Sequence, residues 1–270
     1  MNLLVSIKQV PDTTNIRINP ETGTLVREGV PSIINPYDVH ALALASGLKR
    51  RYGGRLTVIT MGPPQAEAAL KEAVEFGADR IVLISDRKFA GADTLATSYT
   101  LAETIKYLAK ESPFDLLLFG KQAIDGDTAQ VGPGVAKRLG LPLITYAVKV
   151  ERLDPENRKA VIHRKTGRGL EILEAPLPVL ITCEREVADP PFSPLSELIR
   201  AAKIRPEVFS ADGPVPFERA KLGLKGSPTR VHRVFTPELK SPGERIFVSE
   251  VGVSTAVEKI VTALKEKGVL

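Results

Sequence analysis

Four short apolar runs recur through the first 140 residues, each followed by a segment with helical periodicity, and this alternation leaves few folds open. The runs are Leu3-Leu4-Val5-Ser6-Ile7, Arg55 to Thr60, Arg80 to Ile84, and Phe114 to Phe119 (FDLLLF), each with the length and continuity of a strand buried on both faces. Asn35-Pro36-Tyr37-Asp38 opens a helix with Ala41, Leu44, Ala45 and Leu48 on one face. Pro63-Pro64 begins a second, where missing N–H groups cost nothing, and its alanine-rich body from Ala66 to Phe76 stops at Gly77. A third is expected from Leu95 to about Lys110 and a fourth from Thr128 to Leu139, with Val131, Val135 and Leu139 on one face and Gly140 just past its end. Repeated βα units joined by right-handed crossovers predict an α/β fold, a mostly parallel sheet with helices on both faces.

Between the first strand and its helix, residues 11–34 form a long excursion with a hairpin expected around Pro20-Glu21-Thr22-Gly23. After Gly140 the pattern changes to three strands joined by polar turns, Ile144 to Arg152, Lys159 to Thr166 and Gly169 to Glu174, a small antiparallel addition. Pro178 to Cys183 reads as a buried strand returning to the main sheet. From Asp189-Pro190-Pro191 onward the chain is rich in Pro and Gly and short of apolar periodicity until an amphipathic helix at Ser254 to Lys267. The expected division is therefore an α/β domain over residues 1–188 and an extended arm with a final helix over 189–270. Such an arm is ordered by lying on its own domain or on a second chain.

The most informative stretch for function joins the fourth strand to its helix: Gly120-Lys121-Gln122-Ala123-Ile124-Asp125-Gly126-Asp127-Thr128-Ala129-Gln130-Val131-Gly132-Pro133. It lies at the carboxyl end of a strand, where α/β sheets bind ligands, and aims the free N–H groups of a helix start at whatever sits there. Gly126 is expected to take backbone angles closed to other residues, and Gly132 to let the first helical turn approach a ligand or a strand. Two carboxylates would repel a phosphate, so one of Asp125 and Asp127 is expected to cap the helix while the other accepts from a ribose hydroxyl or a loop amide. An ordinary capped strand-to-helix connection carries the same local pattern.

Composition narrows the classes further. No run approaches the ~20 apolar residues that cross a bilayer, and Met1-Asn2-Leu3 leads into a strand in place of a signal peptide, so a cytoplasmic protein is expected that is not an integral membrane protein. The single cysteine, Cys183, sits in an apolar run and reads as a small core residue, and His40, His163 and His232 share no metal-ligand spacing, so no metal site is expected. Residues 199–233 carry eight Lys or Arg against three acids, which accounts for the whole net charge of +5. No stacking aromatics or recognition helix accompany them, so the basic segment reads as a surface for an acidic protein partner or a solvated arm, and no nucleic acid is expected.

Catalytic signatures are missing. Asp115 and Gln122 stand where a phosphate-binding P-loop around Gly120-Lys121 needs Gly and Ser or Thr, and Lys137 stands where Gly132-Pro133-Gly134 needs the third Gly of a dinucleotide fingerprint. No HExxH, CxxC or GxSxG occurs, and no nucleophile has a base beside it. No catalytic side chain is expected; chemistry would belong to a bound cofactor.

Taken together, Val5-Ser6-Ile7-Lys8-Gln9-Val10-Pro11-Asp12, Ile34-Asn35-Pro36-Tyr37-Asp38, Met61-Gly62-Pro63, Gly77-Ala78-Asp79 and GKQAID at Gly120 to Asp125 resemble the β subunit of electron transfer flavoprotein, over Leu3 to at least Lys203. The resemblance implies a Rossmann-like adenine-nucleotide-binding domain, a heterodimer with an α subunit that holds a transferring FAD, and a C-terminal arm lying on that partner. Common members of the family follow Ala-Ile-Asp with two more acids and a later Asn-Gln-Thr, and hold AMP as a structural ligand. Here Gly126, Ala129 and Val131 depart from that pattern, and GDTAQVGP with Asp93-Thr94-Leu95-Ala96-Thr97-Ser98 resembles the flavin-bifurcating branch. In that branch the AMP site is extended into a second FAD site that accepts hydride from NADH, one electron leaving for ferredoxin or flavodoxin and the other for the α-subunit FAD and a flavin dehydrogenase. Replacing Asp, Asn and Thr by Gly, Ala and Val makes room, while Thr94 and Thr97 offer hydroxyls and N–H groups one turn apart.

By the same resemblance Ser6, Asn35 and Met61 line the adenosine part of the site, and Ala123, Asp127, Gln130 and Val131 surround the phosphates and sugar, with Asp125, Gly126, Thr128 and Gly132 completing the loop. Asn35 before Pro36 would serve as a helix cap in any protein, Met61 as core filler and Thr94 as an N-cap. Leu195, in Phe192-Ser193-Pro194-Leu195-Ser196, matches the loop that the family uses to dock the partner dehydrogenase. Two other readings stay open: a conventional β subunit with AMP and no redox group of its own, and a stand-alone adenine-nucleotide-binding protein.

Overall fold

The computed structural model describes residues 1–12, 17–18, 25–26, 31–230, 232 and 245–270. They form two compact units, Met1–Val231 and His232–Leu270. In the first, the expected parallel strands are β1 (Asn2–Ile7), β6 (Arg55–Met61), β7 (Arg80–Ile84), β8 (Leu116–Gly120) and β12 (Val179–Cys183). Between β1 and β6 lie four short strands, β2 (Gln9–Pro11), β3 (Arg17–Ile18), β4 (Leu25–Val26) and β5 (Ser32–Ile34), with β2 paired to β5 and β3 to β4, both antiparallel. The turn expected around Pro20 to Gly23 lies outside the described residues.

Helices α1 (Pro36–Tyr52), α2 (Glu67–Glu75), α3 (Thr94–Ala109) and α4 (Val131–Leu139) follow the strands as the periodicity predicts. The three later strands, β9 (Leu143–Asp154), β10 (Lys159–Thr166) and β11 (Gly169–Pro176), do not form a separate sheet. β9 lies parallel to β12 and antiparallel to β10, so the addition extends the main sheet. The full order, with β13 (Glu207–Phe209), is β11-β10-β9-β12-β8-β1-β6-β7-β13.

Side chains on successive strand positions enter opposite layers, as the period of two requires. Leu3, Val5, Leu116, Leu118, Val179 and Ile181 join one core with α1 and α2; Leu4, Leu117, Phe119 and Leu180 join the other with α3 and α4. Both layers are fully buried, which is why these strands read as continuous apolar runs.

The first unit runs well past residue 188, where the sequence pattern placed a boundary. Helix α5 (Leu195–Lys203) buries Ala201 in the α1 and α2 layer, and the Arg200 guanidinium donates to the Ala78 carbonyl at 2.7 Å. β13 pairs with β7 at the sheet edge, held by Arg80 donating to both Glu207 oxygens and by Phe209 packing edge-on against Tyr107. A three-residue strand carries too little periodicity to be read from sequence. The second unit contains α6 (Val248–Val251) and α7 (Val253–Glu266), whose Val253, Val257 and Ile260 are exposed along one stripe.

Candidate functional site

β1 and β8 are neighbours, yet the chain leaves them in opposite senses. It passes through α1 on one face after β1, and through α4 on the other after β8. The carboxyl ends of this pair mark the crevice in which open α/β sheets bind ligands. Asp38, from the first turn of α1, ties the two ends together: Oδ2 accepts from the Lys8 amide at 2.7 Å and Oδ1 from the Gly120 amide at 3.0 Å. Burial pushes the Asp38 carboxyl up to about 7, against the pull of those amides. Gly120 is obligatory at this contact, since a Cβ there would overlap the Asp38 carboxylate.

Asn35 precedes α1 but does not cap it. Its side chain, 1% exposed, instead grips the loop after β8, Nδ2 donating to the Gln122 carbonyl at 2.8 Å and Oδ1 accepting from the Ile124 amide at 3.1 Å. Within that loop the Ala123 carbonyl accepts from the Asp127 amide at 2.8 Å. Neither acid caps a helix: both Asp125 oxygens lie 2.7 Å from the Lys8 ammonium, and Asp127 accepts from the Gln122 side-chain amide at 2.8 Å. The first pair neutralises the carboxylate that would otherwise repel a phosphate.

The helix after β8 starts at Val131, three residues later than its periodicity predicted, because Asp127 and Ala129 take left-handed angles, φ 49° and 53°. Gly126 does not; a Cβ there meets nothing within 4 Å, so its value is open space beside the loop. Left-handed Ala129 followed by right-handed Gln130 turns successive N–H groups toward one concavity, an arrangement that suits anions. No side chain caps α4, which leaves the amides of its first turn, Val131 and Gly132 among them, open to an anion at that end of the helix. Gly132 also presses on β12, where a Cβ would stand 2.7 Å from the Thr182 methyl. Thr128 is exposed on the approach to this helix.

Asp93, not Thr94, caps α3, its Oδ1 accepting from the amides of Leu95 and Ala96 at 2.9 and 3.0 Å. Thr94 is thereby free to donate its hydroxyl to Gln130 Oε1 at 2.8 Å, which brings the starts of α3 and α4 together. Thr97 stands one turn further on, its amide bonded to the Asp93 carbonyl. By strand alternation Ser6 and Met61 face the layer of α3 and α4; Ser6 is buried and Met61 half-buried against that core. The structure thus joins Thr94 to Gln130 and Asn35 to residues 122–124, while Ser6 and Met61 stand at the carboxyl ends of β1 and β6 and Thr97 one turn along α3 from Thr94. Leu195 is apart from this group, at the start of α5 on the other layer and 71% exposed.

A second hollow of about 800 Å³ opens beyond Lys121, lined by Tyr37, Tyr146, Arg164, Glu184 and Arg185 among others. Lys121 stands over the Tyr37 and Tyr146 rings and 2.9 Å from Glu184, whose hydrogen bond raises the lysine pKa. Lys8, Tyr37, Asp38, Asp93 and Lys121 stand in the motifs that carry the resemblance, but their roles were not legible there, and Tyr146, Arg164, Glu184 and Arg185 were not singled out; the partners lie 30 residues away for Lys8 with Asp38 and 136 for Asp93 with Thr229. Among the described residues, no group of three or more His, Cys, Asp or Glu could hold a metal ion, and no helix is long and apolar enough to cross a membrane.

Comparison with known proteins places this geometry. The electron transfer flavoprotein domain matches residues 22–213. The β subunit of electron transfer flavoprotein from Clostridium acetobutylicum is 48% identical over 267 residues, covering 99% of each chain. Protein FixA of Bradyrhizobium diazoefficiens is 48% identical over 242 residues, 89% of this chain and 84% of its own. The caffeyl-CoA reductase-Etf complex subunit CarD of Acetobacterium woodii is 44% identical over 271 residues, the full length of both. With a parallel sheet whose switch point carries the GKQAID loop and with relatives aligned end to end, the chain belongs to the electron transfer flavoprotein family, among its β subunits.

Proposed function

We propose that this β subunit binds FAD in the crevice between β1 and β8 and that NADH reduces it there, for bifurcation between a low-potential acceptor such as ferredoxin or flavodoxin and the FAD of the α subunit. The observation that carries the reading is the left-handed pair Asp127 and Ala129 leading into the uncapped start of α4, which gathers backbone donors where a phosphate group would sit. An FAD needs more room and more donors than a mononucleotide, and the open space beside Gly126 and the Thr94 hydroxyl, held at Gln130, support that reading, with Thr97 one turn further along α3. When bound, the flavin supplies the hydride and one-electron chemistry. The chain supplies the rest. Val131 and Gly132 offer amides to the phosphates, Ser6 and Met61 border the adenosine side, and Asn35 keeps residues 122–124 from shifting.

Assembly with an α subunit follows from family membership, and one relative's name places it in a caffeyl-CoA reductase-Etf complex, which supports a dehydrogenase as the further partner. Leu195 and the fully exposed Phe192 offer the apolar contact for it. The residues after 231, with the exposed stripe of α7, are assigned to the α subunit.

The test is a ligand count. The chain is coexpressed with its α subunit, and FAD and AMP are released from the purified complex with acid. Two FAD and no AMP per heterodimer are expected; one FAD and one AMP would make this chain a structural nucleotide binder and overturn the flavin reading.

A further inference from the structure

The start of α3 is held by a part of the chain that the sequence pattern places in the extended arm after residue 188. Asp93 uses every polar group it has. One carboxylate oxygen caps α3 through Leu95 and Ala96, and the other accepts from the Thr229 hydroxyl at 2.8 Å and the Thr229 amide at 3.2 Å. Its own amide donates to Ser227 Oγ at 2.8 Å, and that hydroxyl donates in turn to the Gly223 carbonyl at 2.7 Å. Its carbonyl accepts from the Thr97 amide at 2.9 Å.

The segment from Leu222 to Ser227 is itself locked in place, and Thr229 reaches Asp93 from its exposed end. Gly223, at φ 51°, lies so close to Lys88 and Ala90 that a Cβ would overlap the first carbonyl oxygen and stand 2.9 Å from the second. Leu222 and Ser227 are buried, and Leu224 packs where a Cβ on Gly91 would fall. Burial works against ionisation of Asp93, but the Ala96 amide and the donors of Thr229 outweigh it and hold the carboxyl below its ordinary range.

We propose that Ser227 and Thr229 are positioning residues of the nucleotide crevice. They fix Asp93, and through it the turn that holds Thr94 against Gln130 at the head of α4. Capping alone needs only one Asp93 oxygen; the second oxygen and the amide are committed to residues more than 130 positions away. A rotation of Asp93 carries Thr94, the next residue, away from Gln130 and opens the concavity that the two helix starts enclose.

The proposal rests on the reading of this crevice as an adenine-nucleotide site, and its test separates the two. Heterodimers with the α subunit, carrying wild-type β subunit, Thr229→Val or Thr229→Ser, are stripped of ligand and titrated calorimetrically with AMP and with FAD. Hydrogen exchange is followed at residues 94–97. Because the lost bond is exposed and the Thr229 amide still holds Asp93, Thr229→Val is expected to weaken binding about threefold to fivefold. Thr229→Ser, which keeps the hydroxyl, is expected within about twofold of wild type, and exchange in Thr229→Val to quicken at 94–97 but not along the rest of α3. Unchanged affinity in Thr229→Val overturns the positioning role. Equal loss in both variants, or faster exchange throughout the unit, makes Thr229 merely structural and also overturns it. A wild-type complex that binds neither AMP nor FAD in this crevice removes the underlying reading instead.

Discussion

Asn35 and Ile124 are joined by a hydrogen bond that spans 89 positions of sequence, from the residue before α1 to the middle of the loop after β8. With the Gln122 carbonyl taken by the same side chain, one buried amide replaces a peptide-bond partner for two loop groups at once. Asn35→Asp removes the donor and sets a carboxylate against that carbonyl. We expect a loss of about 1–3 kcal/mol, the cost of an unsatisfied buried polar group. Urea unfolding measures it, and proteolysis at residues 122–126 should accelerate alongside. Unfolding at the wild-type midpoint would show that the loop holds itself.

Asp38 predicts a pH signature. Its folded pKa of about 7 lies above the ordinary 3.8, so the fold favours the protonated form. The stability it adds is complete below about pH 4 and is lost as pH rises through about 7. Other carboxylates titrate in the same window, so the quantity to measure is the difference between wild type and Asp38→Asn. The advantage of wild type should shrink between about pH 4 and pH 7 and then level off. A difference independent of pH would mean that the carboxylate ionises as freely as in an unfolded chain.

Glycines only six residues apart should behave oppositely. Gly120→Ala drives a methyl into the Asp38 carboxylate and to within 2.9 Å of the Asp38 amide, neither of which can move without releasing β1 or β8. Overpacking of this kind costs about 1–3 kcal/mol or more. Gly126→Ala meets open space at an ordinary φ and should leave stability within about 0.5 kcal/mol. Its effect should appear in FAD binding, through the room it takes. Denaturation curves for both variants decide the matter.

Lys8 and Asp125 are exposed enough that their pairing contributes less than about 1 kcal/mol to folding. Their larger consequence is electrostatic. Lys8→Met leaves Asp125 uncompensated beside the proposed phosphate concavity, and nucleotide affinity should fall several-fold at low ionic strength. The deficit should narrow as salt is raised toward 0.5 M, where charges are screened within a few ångströms. A deficit insensitive to salt would point to altered loop structure.

Cys183 ends β12 fully buried, and burial drives its thiol pKa upward. A thiol reagent should leave the native complex unmodified and label it only at the rate at which this end of the sheet opens. Rapid labelling at neutral pH would contradict the packing around β12.

The strands and helices were legible because their signals are local. Leu116, Leu117 and Leu118 are apolar on both faces, and Ala41, Leu44, Ala45 and Leu48 repeat with the helical period. The nucleotide loop was legible as a strand-to-helix junction, though not in its detail. Left-handed angles at Asp127 and Ala129 leave no mark in composition, so the start of α4 was read three residues early. The chain likewise does not announce that Asn35 and Asp38 bond across to residues 120–124, since a cap and a first-turn acid look the same in sequence whatever they hold. The stretch from 195 to 229 failed for the same reason. Its order comes from contacts with β7, α2 and α3, and it has little periodicity of its own.

Asn35, Tyr37 and Asp38, the residue before α1 and two in its first turn, reach three destinations: the 122–124 loop, the cations Lys121 and Arg185, and the joined ends of β1 and β8. Energies of substitutions within that turn will therefore not sum. A double-mutant cycle between Asn35 and Asp38 should return a coupling of about 0.5–3 kcal/mol, as for residues that share one network. Neither position can then drift independently of the other, and a neutral path between two versions of this turn has to change both of them together.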